Sequence, residues 1–180
     1  LLSPEEYGVV GVILILVAIA NVLVQNGFSI ALIQKKEADD RDFSSVFYFN
    51  MGASSVLYVV LFLLAPWIGA FYTNPEMAAM IRLLAVVLFP GGVISIQNAY
   101  VSRKLEFKGL FISSFLASII SGGVSIFMAC TGWGVWALVW QQITYYFFYM
   151  GILFLTVRWK PRLLFSLLRI KAMLAFGWKL

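Results

Sequence analysis

The sequence predicts an all-α, multi-pass helical membrane protein, and three observations carry that prediction. Apolar residues fill 62% of the 180 positions and charged residues only 12%, against about 45–50% and about 25% in soluble domains. The charges leave four long uncharged runs, 7–34, 43–75, 83–102 and 109–157. Each can supply the roughly 20 apolar residues that a helix needs to cross about 30 Å of hydrocarbon. No run alternates apolar and polar residues with a period of two, so helices are expected rather than a membrane β-barrel.

Breaks in those runs divide the chain into five spans. The first covers about 8–33 and is announced by LLSPEEYG. Ser3 suits an N-cap, Pro4 the first helical position, and Glu6 completes a capping box at the helix's positive end. So sharp a start normally follows a turn, and a preceding segment is expected to belong to the protein. The second span, about 43–72, is long for one crossing; its first turns are expected at the interface, with Pro66 ending or kinking it. Asn74-Pro75-Glu76 repeats the cap, proline and acid and opens the third span, about 76–102.

Phe89-Pro90-Gly91-Gly92 interrupts that third span near its centre, because proline removes a backbone hydrogen bond and two glycines loosen the next turn. Pro90, Gly91 and Gly92 are candidates for a hinge, with a static packing kink as the alternative. The fourth span, about 108–130, sets Ala117, Ser121, Ser125 and Ala129 at a stride of four, a seam for close helix packing. Thr131-Gly132-Trp133-Gly134 is a tight turn into the fifth span, about 134–157. Residues 158–176 then mix Leu and Phe with Arg169 and Lys171 and read as an amphipathic connector. Phe176-Gly177-Trp178-Lys179-Leu180 reads as the approach to a further span.

Charge placement orients the spans. Of the 13 Lys and Arg, Lys35, Lys36 and Arg41 lie in the first connection and Arg103, Lys104 and Lys108 in the third. Arg158, Lys160, Arg162, Arg169 and Lys171 follow the fifth span, so only Arg82 and Lys179 fall elsewhere. The alternate connections carry Glu5, Glu6 and Glu76 and no cation. The positive-inside rule puts the basic connections, and the 158–176 connector, on the cytoplasmic side of the membrane. Trp67, Phe71, Tyr72, Trp133 and Trp136 at the outer ends, with Trp159 at the inner end, are expected as interfacial belts. The formal charge of +5 is therefore topogenic, and nucleic acid is not an expected partner.

The chain has no histidine and one cysteine, Cys130. His-based acid–base catalysis, a Ser-His-Asp triad, a His–metal site and an internal disulfide are excluded from this stretch. No catalytic residue, metal or cofactor is expected. The candidates for a substrate path are polar residues within spans, which are costly in hydrocarbon unless partnered. They are Asn21, Gln25, Asn50, Arg82, Gln97, Gln141 and Tyr145.

Asn21 and Gln25, one turn apart, suit either hydrogen bonds to a polar substrate in a hydrated cavity or a tie between helices. Arg82, the one charge well inside a span, has two readings. It snorkels to headgroups, or it lines the cavity and attracts an anionic substrate. Gln141, Gln142, Thr144, Tyr145, Tyr146 and Tyr149 form a polar, aromatic stretch whose rings suit either stacking on a substrate or core packing.

Several patches fall together in a fixed order: LLSPEEYG, SIALIQKKE, SSVFYFN, LLAPWIGAFY, NPEMAAMIRLLA, QNAYVSRKLEFK, GWGVWALVWQQ and RWKPRLLFS. In these the chain resembles the Wzx-type polysaccharide and lipopolysaccharide flippases of the multidrug/oligosaccharidyl-lipid/polysaccharide (MATE-like) exporter superfamily. The resemblance implies two six-helix bundles, with residues 1–180 as the second to sixth helices of the N-terminal one. It implies an alternating-access transporter, not an enzyme, that carries isoprenoid-diphosphate-linked oligosaccharide of the undecaprenyl type to the outer leaflet. Polysaccharide polymerase and assembly proteins are the implied partners besides the bilayer.

Two other functions stay open on the residues. A cation or multidrug antiporter of the same superfamily needs an intramembrane carboxylate, and a membrane transferase acting on lipid-linked sugars needs a catalytic acid or base. All eight Asp and Glu lie in connections or at span ends. Glu37, Asp39, Asp40 and Asp42 form the densest group, suited to a solvated loop that caps the second span.

Overall fold

The computed structural model describes residues 4–34, 38–157, 159–162, 165, 166 and 170, without the side chains of 4–7, 25–31 and 34. The Ser3 cap, Gln25's side chain and most of 158–176 lie outside the described residues. Among those described, the chain is helical and without strands. The helices are α1 (Pro4–Gln34), α2 (Asp40–Phe71), α3 (Pro75–Leu84), α4 (Leu88–Lys104), α5 (Lys108–Cys130) and α6 (Trp136–Thr156), with a 3₁₀ turn, Ala85–Val87, joining α3 to α4. Four stretches are long and apolar enough to cross a membrane: α2, Pro75–Lys104 taken as one span, α5 and α6. In α1 the apolar stretch Gly8–Val24 lies within a 31-residue helix. This is the predicted all-α multi-pass architecture.

Local chemistry sets the helix ends. Asp39 caps α2 by accepting from the Asp42 amide at 2.9 Å, while the Asp42 carboxylate accepts from the Asp39 amide at 3.2 Å. That reciprocal box starts the helix at Asp40, earlier than the apolar run alone suggests. Asn74 Oδ1 accepts from the Glu76 amide at 3.0 Å and Pro75 fills the first turn of α3. The ends of α2 and α5 share one closure. Asn74 N–H reaches Gly69 O and Thr73 N–H reaches Ala70 O; Trp133 N–H reaches Met128 O and Gly132 N–H reaches Ala129 O. These pairs form Schellman motifs. Gly132 supplies the required positive φ of 84° at the second; at the first, Thr73 adopts φ 51° with a β-branched side chain.

Two prolines refine the expectation. Pro66 does not end α2, which runs on to Phe71. The third span does break, but one turn before Pro90, at Ala85–Val87. Pro90 has no N–H for the Val86 carbonyl, and its ring crowds that carbonyl, so the disruption falls in the preceding turn.

The broken helix is the central one. Of its most apolar window 67% is buried, against 22%, 17% and 11% for α2, α5 and α6. It packs on α1, α2 and α6, while α5 lies outside against α6. The α5–α6 seam uses the stride of small residues, with Ala117 and Ser121 buried. One apolar cluster joins Ile13, Leu61, Met80, Leu84 and Ile143, and a second joins Leu32, Phe43, Ile96, Leu153 and Trp159. The outward faces are apolar too, with Phe111, Phe115, Ile119 and Ile126 all exposed along α5. A protein in water rarely shows so continuous an apolar face, whereas lipid covers one.

Described cations of the basic connections lie at the ends of α1 and α2. Arg103 donates to Leu32 O at 2.8 Å, capping a terminal carbonyl of α1, and Arg162 pairs with Asp40 at 3.3 Å. Residues 159–162, 165 and 166 carry no helix. They dock on the start of α2, where Ser44 Oγ accepts from the Arg162 amide and Ser45 Oγ from the Ser166 amide, each at 3.1 Å. Trp159 is accordingly 5% exposed, set among Phe43, Phe47 and Tyr100, rather than in an interfacial belt.

Candidate functional site

Helix phase decides where the polar residues of α6 point. Residues four apart share a face, so Gln141 and Tyr145 form one row and Gln142 and Tyr146 the next. Gln141 and Tyr145 face α5, where with Ser118 and Ser121 they line a recess of 240 Å³. Gln142 and Tyr146 face α1 and the centre, lining a second recess of 220 Å³ with Asn21, Val17, Leu84 and Val87. Gln142 borders both recesses. Tyr145 packs edge-on against Tyr146 and tilted against Tyr149, and Tyr149 Oη donates to Asn98 Oδ1 at 3.4 Å.

Three of the predicted residues, Asn21, Gln141 and Tyr145, thus come together in one polar tract at the α1–α6–α5 face. Each recess is smaller than the roughly 300–1,000 Å³ of a small-molecule pocket. The tract is a wall rich in neutral donors and acceptors, able to hydrogen-bond hydroxyls and stack rings. Gln142 and Tyr146, central to it, belong to the polar aromatic stretch that the sequence singles out but not to its shorter set of substrate-path candidates. Their signal is the same stride of four, read in the neighbouring phase.

The other candidates are elsewhere. Arg82 borders neither recess. Its Nε donates to Phe62 O at 3.3 Å, and its guanidinium carbon lies 4.4 Å over the Phe62 ring. The cause is Pro66. In a regular helix Phe62 O accepts from the N–H of residue 66, and proline has none. Arg82 supplies the missing donor from α3, and its charge is held against α2.

Asn50 on α2 and Gln97 on α4 are each 0% exposed, and no amide atom of either has a hydrogen-bond partner. They lie on facing helices between the Phe43–Tyr100 ring contact at 5.6 Å and the Ser54 Oγ–Leu88 O bond at 3.1 Å. Pro90, Gly91 and Gly92 are buried. A Cβ on Gly92 would meet Met51 Cε at 3.0 Å and Ser54 Oγ at 3.2 Å, so this glycine admits close approach of α2. Among the described residues no group of three or more His, Cys, Asp or Glu gathers that would hold a metal.

A family model described as polysaccharide biosynthesis protein matches residues 1–180. The chain is 26% identical over 179 residues to the succinoglycan biosynthesis transport protein ExoT of Rhizobium meliloti, covering 98% of this chain and 36% of that protein. It is 26% identical over 166 residues to the teichuronic acid biosynthesis protein TuaB of Bacillus subtilis, covering 88% of this chain and 33% of that one. With the lipopolysaccharide biosynthesis protein WzxC of Escherichia coli it shares 30% over 110 residues, 60% of this chain and 22% of that one. The chain therefore spans about a third or less of the length of these relatives. No solved structure matches.

Proposed function

Since this chain belongs to the polysaccharide biosynthesis protein family, we propose that it serves in a flippase for surface polysaccharide assembly. The cargo is an oligosaccharide on an isoprenoid diphosphate, carried from the cytoplasmic to the outer leaflet by alternating access. Asn21, Gln141, Gln142, Tyr145 and Tyr146 form part of the sugar-facing wall. The observation that carries the reading is this neutral tract of amides and phenols within spans. Amides and tyrosines match sugar hydroxyls and rings. The spans offer a cation no interior carboxylate, so an antiporter would have to find its acid in other helices.

In this reading the protein sits in the bacterial inner membrane with its basic end in the cytoplasm, and polymerase and assembly proteins work beside it. Cells lacking the protein should accumulate lipid-linked oligosaccharide on the inner leaflet and lose surface polysaccharide, with sensitivity to cationic drugs unchanged. Complementation with Gln142→Leu or Tyr146→Leu should restore membrane abundance but not export. Drug sensitisation with surface polysaccharide intact would overturn the flippase in favour of the antiporter.

A further inference from the structure

A recess of 670 Å³ lies at the basic end, separate from the amide and tyrosine tract. It opens between the last turn of α4, the connection to α5 and the end of α6. Leu105 closes α4 in the left-handed region, φ 56°, and turns the chain sharply. The turn brings Lys104, the last residue of α4, and Lys108, the first of α5, to the same recess. Lys104 Nζ sits 4.6 Å over the Tyr100 ring, which holds the ammonium at the rim by cation–π attraction. Lys108 is exposed and makes no ion pair among the described residues. Glu106 also borders the recess, so its lining carries two cations and one anion.

Below the lysines the surface is apolar. Phe107 and Ile112 line the recess, and Phe111 and Phe115 are exposed further along α5. A cationic mouth above a greasy slope suits an anionic amphiphile: an inorganic anion would use only the lysines, and a neutral lipid only the phenylalanines. Lys and Arg at a membrane surface attract anionic headgroups in this way.

We propose that this recess binds the phosphate head of a membrane lipid, with its chain running down the phenylalanine face of α5. Two lipids present that chemistry: a bulk anionic phospholipid, or an isoprenyl diphosphate such as the proposed cargo carries. The binding test stands apart from transport, so it holds or fails independently of the flippase reading.

The intact protein in phosphatidylcholine nanodiscs is titrated with phosphatidylglycerol or with an isoprenyl diphosphate, and bound lipid is counted by native mass spectrometry. Both anionic lipids are expected to outcompete phosphatidylcholine. The double variant Lys104→Gln/Lys108→Gln should bind them at least tenfold more weakly, on the order expected for two interfacial cations. Lys104→Arg/Lys108→Arg should keep the affinity. Lys160→Gln, exposed at the same end but outside the recess, should leave it unchanged.

Preference for the diphosphate would assign the recess to cargo, and preference for phosphatidylglycerol would assign it to a resident lipid. Binding unaltered in the double variant, or weakened equally by Lys160→Gln, would overturn the proposal. If the double variant does not accumulate, the same competition is run on Lys108→Gln alone, where an unchanged affinity would overturn the proposal equally.

Discussion

Arg82 is held by a gap in another helix, and that can be measured. Replacing Arg82 with Met keeps most of the side chain's length and removes both the donor to Phe62 O and the cation over the Phe62 ring. A hydrogen bond from a charged group contributes about 1.5–3 kcal/mol in water-soluble proteins. Interhelical bonds in a membrane average only about 0.6, with a maximum of about 1.7 kcal/mol. At 3.3 Å this bond is long, which places it near 1 kcal/mol, and the ring contact adds about 0.5–1 kcal/mol. Arg82→Met should therefore destabilise the intact protein by about 1.5–2 kcal/mol.

The discriminating step repeats the substitution in a Pro66→Ala background. There residue 66 has an N–H of its own for Phe62 O, so the hydrogen bond from Arg82 becomes redundant and only the ring contact is lost. The cost should fall by about 1 kcal/mol, readable as the coupling of a double-mutant cycle. Unfolding midpoints of the four proteins in detergent give the answer. Equal destabilisation in both backgrounds would refute the proline-gap account of Arg82.

Three shorter predictions follow. Single cysteines at Asn74 and Trp133, in a Cys130→Ser background, should react with an impermeant thiol reagent from outside, and those at Lys104 and Lys160 only after permeabilisation; the reverse pattern would invert the proposed orientation. Thr73→Gly should raise stability by roughly 0.5 kcal/mol, because a non-glycine at positive φ costs about 1–2 kcal/mol and glycine's extra unfolded-state freedom takes part of that back; a lowered unfolding midpoint would contradict it. Asn50→Leu and Gln97→Met should each raise the unfolding midpoint, since every buried unpaired amide costs about 1–3 kcal/mol; a drop in both would mean that the two amides have partners in the membrane.

The spans were legible because hydrocarbon enforces long uncharged runs and the charges between them are sparse. What the runs could not set was decided by single hydrogen bonds. Asp39 and Asp42 start α2 inside a charged stretch that the apolar pattern assigns to a loop. Whether Pro66 ends α2 could not be read, because the donor that rescues its gap comes from Arg82, in a different helix. Trp159 looked interfacial because its burial depends on Ser44 and Ser45 catching the chain after α6. For the polar tract the residue types were readable and the phase was not. A rotation of one residue about α6 separates the Gln141–Tyr145 row from the Gln142–Tyr146 row, and only packing against α1 and α5 fixes it.

The two helices with interior prolines are packed on each other, and that pairing has a physical reason. A bilayer offers no water to a carbonyl that has lost its donor, so irregular backbone is tolerated only where protein covers it. The 3₁₀ turn sits in the most buried span. At the start of α4 the Leu88 carbonyl receives Ser54 Oγ from α2. At the far end α2's own gap receives Arg82 Nε from α3. Side-chain donors thus cross in both directions between α2 and the α3–α4 span, and Gly92 lets the α2 and α4 backbones come close enough for Ser54 to reach. Between these bonds and the aromatic cluster at the basic end lie Asn50 and Gln97, buried and unpaired. The interface of α2 with the broken span therefore holds one filled proline gap, at Phe62 O, one added side-chain bond, at Leu88 O, and two unsatisfied amides.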